Sequence, residues 1–152
     1  IRQLDLDHNL TVLCRDLSEL STYAKCNNVV FRLLKSYTPG PYTFILPATK
    51  EVPRKLQHPK RKTIGLRIPE HTIALALLEE LNEPLMSSTL ILPGDDMPMT
   101  DADDIVDAIG KQVDLIIDGG ACGAEPTTVV EFVDDLPEVT RHGMGDTAPF
   151  ES

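Results

Sequence analysis

Arg67 breaks an apolar alternation. Ile64, Leu66 and Ile68 repeat every second residue between Thr63 and Ile68, a strand pattern, and Arg67 stands in the intervening row between Gly65 and Pro69. Those two neighbours leave open space on its face. A guanidinium turned into that space needs an anion, because a buried unpaired cation is costly. A carboxylate or a phosphate suits its forked donors. An internal ion pair or an Arg facing water fits the spacing equally well. Ser87, Ser88 and Thr89 place three hydroxyls at the end of another apolar run, ahead of Pro93-Gly94. They could meet a phosphate, or they could serve the hydrogen bonds of a strand end and turn.

The stretch from Lys50 to Arg67 contains Lys50, Arg54, Lys55, Lys60, Arg61, Lys62 and Arg67 against one acid, Glu51. It is suited to long-range attraction of phosphates, for instance on structured RNA, or to a solvated loop. The charge is divided along the chain. Residues 1–94 hold 12 basic and 9 acidic side chains, whereas residues 95–152 hold 2 and 15. The overall net charge of -10 argues against tight, unspecific binding of bare duplex nucleic acid but leaves a local anion site open.

Other patterns point away from familiar chemistry. No GxSxG marks a nucleophile elbow. Asp118-Gly119-Gly120 with Gly123 is neither GxGxxG nor a P-loop, and reads as a tight turn. Asp95, Asp96, Asp101, Asp103, Asp104 and Asp107 lack the DxDxDG spacing of a calcium loop. His8, His58, His71 and His142 form no HxxxH pair and lie near no Cys pair, so a zinc site is not expected. Cys14, Cys26 and Cys122 are odd in number and widely spaced, which points to reduced thiols and a cytoplasmic setting.

The elements that must position these residues can be read from periodicity. Strands are expected at Leu10–Cys14, Tyr42–Leu46, Thr63–Ile68, Pro84–Leu92, Asp114–Ile117, Thr127–Phe132 and Glu138–Arg141. Helices are expected after Asp16, which with Glu19 resembles a capping box, and at Asn28–Tyr37, His71–Leu81 and Asp101–Ile109. Pro53–Pro59 reads as a short helix or turn. Thr38-Pro39-Gly40-Pro41 must stop the second helix. Alternating helices and strands followed by strands alone predict an α/β or α+β fold, a twisted mixed sheet with flanking helices. The 152 residues suit one domain. Trp is absent and only 5% of residues are aromatic, so an aliphatic core is expected. The longest apolar run, Ile73–Leu78, is far short of the ~20 residues of a membrane-spanning helix. No basic-then-apolar leader opens the chain, and position 1 is not Met, as for a segment of a longer protein.

Several segments together resemble the YrdC-like superfamily. Thr38-Pro39-Gly40-Pro41-Tyr42-Thr43-Phe44-Ile45-Leu46 is similar to its PGPxTFxL segment, and Thr63-Ile64-Gly65-Leu66-Arg67-Ile68-Pro69-Glu70-His71 to its RxPxH segment. Ser87-Ser88-Thr89 stands where the family has STSxN. Asp118-Gly119-Gly120, Pro126-Thr127-Thr128-Val129-Val130 and Arg141-His142-Gly143 follow in the family's order. Leu92-Pro93-Gly94 and Gly143-Met144-Gly145-Asp146 look most like the YciO branch. The resemblance implies a concave, positively lined cavity that binds nucleotide and RNA. In the TsaC-type members it implies synthesis of threonylcarbamoyl-adenylate from L-threonine, bicarbonate and ATP, with Mg2+ accompanying the ATP, for tRNA modification.

By the same resemblance, Arg2, His8, Ser87, Ser88, Thr89, Thr127, Thr128 and Arg141 would meet the nucleotide and its phosphates, and Arg67 the threonine carboxylate or carbamate. Lys50, Arg54, Lys55, Lys60, Arg61 and Lys62 would form the RNA surface. No residue is assigned as a catalytic nucleophile and no metal site is expected. Three departures stand out. Ile91 replaces the Asn of the SxN pair, His8 replaces a Lys, and the family's opening strand-turn-helix is expected to be missing. They point to weak or altered synthase activity, with a non-catalytic module for double-stranded RNA or tRNA as the alternative.

Overall fold

A computed structural model describes residues 1–2 and 11–151. The chain divides into two compact units. One joins Ile1–Leu4 to Ser88–Glu125, and the other joins Asp5–Ser87 to Pro126–Ser152.

The larger unit is built on a six-stranded sheet. Its strands are β1 (Thr11–Leu13), β2 (Tyr42–Pro47), β3 (Thr63–Arg67), β4 (Leu85–Ser87), β5 (Thr128–Val133) and β6 (Leu136–Arg141), in the spatial order β4-β1-β3-β2-β5-β6. The pairs β1/β3 and β2/β5 are parallel and the other three are antiparallel, so the sheet is mixed and open. Among the described residues, three α-helices belong to this unit: α1 (Leu17–Tyr23), α2 (Asn28–Ser36) and α3 (Thr72–Leu81). This is the mixed sheet with flanking helices that the alternation of elements predicts.

Local chemistry explains the boundaries. The Asp16 carboxylate accepts from the Glu19 N–H (2.9 Å) while the Glu19 carboxylate accepts from the Arg15 N–H (3.0 Å), closing the first turn of α1 from both sides. Asn27 caps α2 in the same manner through the Val30 N–H. Asn82 ends α3 in the left-handed conformation (φ 54°), which Asn tolerates better than most residues.

The sheet divides its side chains by face. Val12, Phe44, Leu46, Ile64, Leu66, Val130 and Phe132 lie on one face and are buried in a single apolar core with Leu20, Val30 and Leu34 of the helices. The core is largely aliphatic, as expected, but it also carries an aromatic cluster. Tyr37, Tyr42, Phe44, Phe132 and Phe150 cluster there, with ring centroids 5.2 to 6.3 Å apart. Aromatic residues are few, but long-range packing gathers five of the seven into one place. Beside them Cys14 is fully buried, and burial, with the Glu19 and Asp16 charges adding, pushes its thiol up to about 12. It is a small core residue that stays protonated.

The smaller unit holds α4 (Ala102–Ile109), capped by the Asp101 carboxylate accepting from the Asp104 N–H, with acids in its first turn as the helix dipole favours. Here two expectations fail. Asp114–Ile117 forms no strand, and Leu115 and Ile117 are 75% and 53% exposed. A short apolar run becomes a strand only where a ladder partner is available, and no described strand pairs with this one. The strand expected over Pro84–Leu92 is confined to Leu85–Ser87. Among the described residues, no helix is long and apolar enough to cross a membrane.

Candidate anion-binding site

The second face of the sheet carries the candidate site. Arg67 ends β3, where it pairs with Leu13 of β1. The β2/β3 ladder sets Phe44 opposite Leu66, and its next step brings Thr43 beside Arg67. Thr43 pairs in turn with Val129 of β5, and Val129 with Arg141 of β6. Residues paired across a sheet project from the same face. One transverse row therefore reads Arg67, Thr43, Val129, Arg141, with Thr127 two residues before Val129 on the same side.

Arg67 is half-buried. Its Nε is shut off from solvent and meets no acceptor among the described residues. Burial lowers its pKa, and the nearby Arg141 charge lowers it further. A guanidinium nevertheless stays protonated in any protein environment. The row thus holds a desolvated cation facing a second cation with no described counter-charge. Such an arrangement is unfavourable alone and becomes favourable when an anion enters.

Arg141 is fixed from below. Its Nε and Nη2 donate to the Thr127 carbonyl (3.0 and 2.8 Å), and Nη2 also donates to the Thr127 hydroxyl (2.9 Å). The Thr127 hydroxyl lies 2.7 Å from that of Thr43. The turn behind Arg141 is held by Thr128, whose buried hydroxyl donates to the Gly145 carbonyl (2.7 Å) and accepts from the Gly143 N–H (3.1 Å). Thr128 faces the core, fully buried, with its one proton donated within the turn. Thr128, expected to meet the nucleotide, is placed on the core side, and Thr127 on the opposite side beside Thr43. Gly143 and Gly145 are needed in that turn: an added Cβ would stand 2.4 Å from the Pro126 carbonyl oxygen or from the Tyr42 ring.

The other predicted residues fall elsewhere. Ser87 lies on β4 and donates to the Thr11 carbonyl (3.4 Å). Arg2, Ser88 and Thr89 belong to the smaller unit, where Ser88 and Thr89 are exposed. His8 lies outside the described residues. Lys50, Arg54, Lys55, Lys60, Arg61 and Lys62 are all exposed on the larger unit, with Arg54 and Lys55 in the short 3-10 helix Arg54–Leu56. Arg61 is not free, because its Nη1 lies 2.9 and 3.1 Å from the two carboxylate oxygens of the buried Glu131. The Lys62 ammonium donates to the Pro59 carbonyl (2.8 Å).

A hollow of about 500 Å³ on the larger unit is lined by Ser21, Lys25, Cys26, Asn27 and Asp135 among others, and contains none of the predicted residues. Thr43, which sequence reading passed over as a strand residue, joins the row only through tertiary pairing. Its signal was a polar residue amid the apolar run Tyr42–Leu46.

Comparison with known proteins places the fold. A model of the family described as Sua5_yciO_yrdC, telomere recombination, matches residues 1–143. The uncharacterized protein YciO of Escherichia coli strain K12 is 58% identical over 150 residues, 99% of this chain and 73% of that relative. The crystal structure of E. coli YciO superposes with a TM-score of 0.93 over the same shares. The crystal structure of P. abyssi Sua5 complexed with L-threonine superposes with a TM-score of 0.81 at 28% identity, over 91% of this chain and 41% of that one. The threonylcarbamoyl-AMP synthase of Bacillus subtilis strain 168 is 30% identical over 139 residues, 90% of this chain and 40% of that relative. The motifs, the mixed sheet and these likenesses agree: the chain belongs to the Sua5/YciO/YrdC family.

Proposed function

We propose that this is a YciO-type protein that binds L-threonine and ATP and forms threonylcarbamoyl-adenylate weakly or in altered form. The observation that carries the reading is Arg67, a partly desolvated guanidinium whose Nε has no acceptor among the described residues and which lies beside a second guanidinium. The relative solved with L-threonine supports a carboxylate as the anion.

In this reading Arg67 grips the threonine carboxylate, or the carbamate formed from threonine and bicarbonate. Arg141, anchored on Thr127, faces the phosphates of ATP, which arrives with its Mg2+. A carbamate oxygen attacks the α-phosphorus, forming the new P–O bond as the bond to pyrophosphate breaks. No protein nucleophile is required. Positioning and neutralisation of charge carry the step. Threonine-dependent release of pyrophosphate from ATP, Mg2+, bicarbonate and threonine is the expected result. Its absence would overturn the synthase reading.

A second reading rests on the exposed Lys50, Arg54, Lys55 and Lys60: a non-catalytic module for double-stranded RNA or tRNA. RNA binding without pyrophosphate release would favour it. Ile91 bears on the choice, since an apolar side chain stands where the family has an amide. Ile91→Asn is expected to raise pyrophosphate release severalfold. A fall in rate would count against aligning Ile91 with the family's Asn.

A further inference from the structure

Two hydroxyls on the sheet carry a surplus that the ligand-free protein does not use. Thr43 and Thr127 are hydrogen-bonded to each other at 2.7 Å, with either able to donate. Each hydroxyl has one proton and can accept twice. One proton is spent inside the pair, so one remains, whichever way the bond points. Thr127 already accepts from the cationic Nη2 of Arg141 at 2.9 Å. A hydroxyl that accepts from a cation becomes a better donor, so the chain is polarised from Arg141 through Thr127 to Thr43. Thr43 is left with the unspent proton, and no second partner meets its hydroxyl among the described residues.

Thr43 is only 8% exposed and lies beside Arg67 across the β2/β3 ladder. A buried donor in that place has no use in packing, where Val would fit the strand as well. With the unaccepted Nε of Arg67, the row offers spare donors on both strands. We propose that the Thr43 hydroxyl is a ligand-binding donor, primed through Thr127 by Arg141, for the same anionic group that Arg67 holds. This rests on the threonine reading above for the identity of the anion, but not for its charge. The row would reject an ammonium and accept a carboxylate or a phosphate oxygen.

Calorimetry with L-threonine, and separately with inorganic phosphate, tests it on the intact protein. Thr43→Val keeps the shape and removes the donor. It is expected to weaken binding at least about tenfold, the scale of a hydrogen bond to a charged acceptor. Thr43→Ser is expected to restore binding to near that of the unaltered protein. Thermal melting of each variant separates loss of the donor from loss of the fold. Unchanged affinity in a folded Thr43→Val protein would overturn the proposal while leaving the threonine reading intact. If phosphate binds and threonine does not, the threonine reading falls and the effect of Thr43→Val is read on phosphate. If the unaltered protein takes up neither, both fall.

Discussion

Arg67→Ala is expected to weaken L-threonine binding by about 10- to 150-fold, the equivalent of about 1.5–3 kcal/mol for hydrogen bonds to a charged group. Stability is expected to move the other way, or not at all. In the ligand-free protein Arg67 is a partly desolvated cation beside Arg141, with no described counter-charge. Removing it relieves desolvation and like-charge repulsion, against a modest loss of packing from its aliphatic stem. A residue kept for binding at some cost in stability behaves this way. An Arg serving an internal ion pair behaves oppositely, because its loss would strand a buried acid and lower the melting temperature. Calorimetry and thermal melting on the same protein decide. Unaltered affinity, or a large fall in melting temperature, removes Arg67 from the site.

Phe44→Ala is expected to cost about 3–5 kcal/mol, the range for truncating a fully buried aromatic ring. Phe44 has no exposed surface and lies within 6.3 Å, centroid to centroid, of Tyr42, Phe132 and Phe150. Its ring joins β2 to β5 and to the C-terminal Ala148–Phe150 turn. A domain of this size is stable by only about 5–15 kcal/mol, so the variant is expected to be close to unfolding. Urea denaturation measures it. A loss below about 1 kcal/mol would mean that neighbouring side chains collapse into the space, and that the aromatic cluster does not hold β2, β5 and the C-terminal turn together.

Much of this was readable from residue order. Asp16 with Glu19, Pro39 after α2, and the alternation through Thr63–Arg67 are local signals, and local physics honours them: the described α1, α2, α3 and β3 lie within a residue or two of their expected positions. Leu115 and Ile117 misled because a strand is defined by its partner, and a partner is not a local property. The aromatic cluster was hidden for a similar reason. Phe150 reaches Phe44 from more than a hundred residues away. The candidate site divides along the same line. Arg67 announced itself by interrupting an apolar alternation. Thr43 and Glu131 did not, because their partners, Thr127 and Arg61, lie 84 and 70 residues distant. Thr127 and Thr128 could not be told apart until the pleat of β5 sent one to each side.

That pleat has an evolutionary corollary. In β1, β2, β3 and β5, even-numbered positions such as Val12, Phe44, Leu66 and Val130 build the interior, while odd-numbered ones such as Thr43 and Arg67 stand on the face that carries the candidate site. On the function proposed above, substitutions at Thr43 and Arg67 would change what is recognised while the apolar residues of the opposite face stay as they are. In that reading a lineage could exchange one ligand for another on an unchanged apolar core.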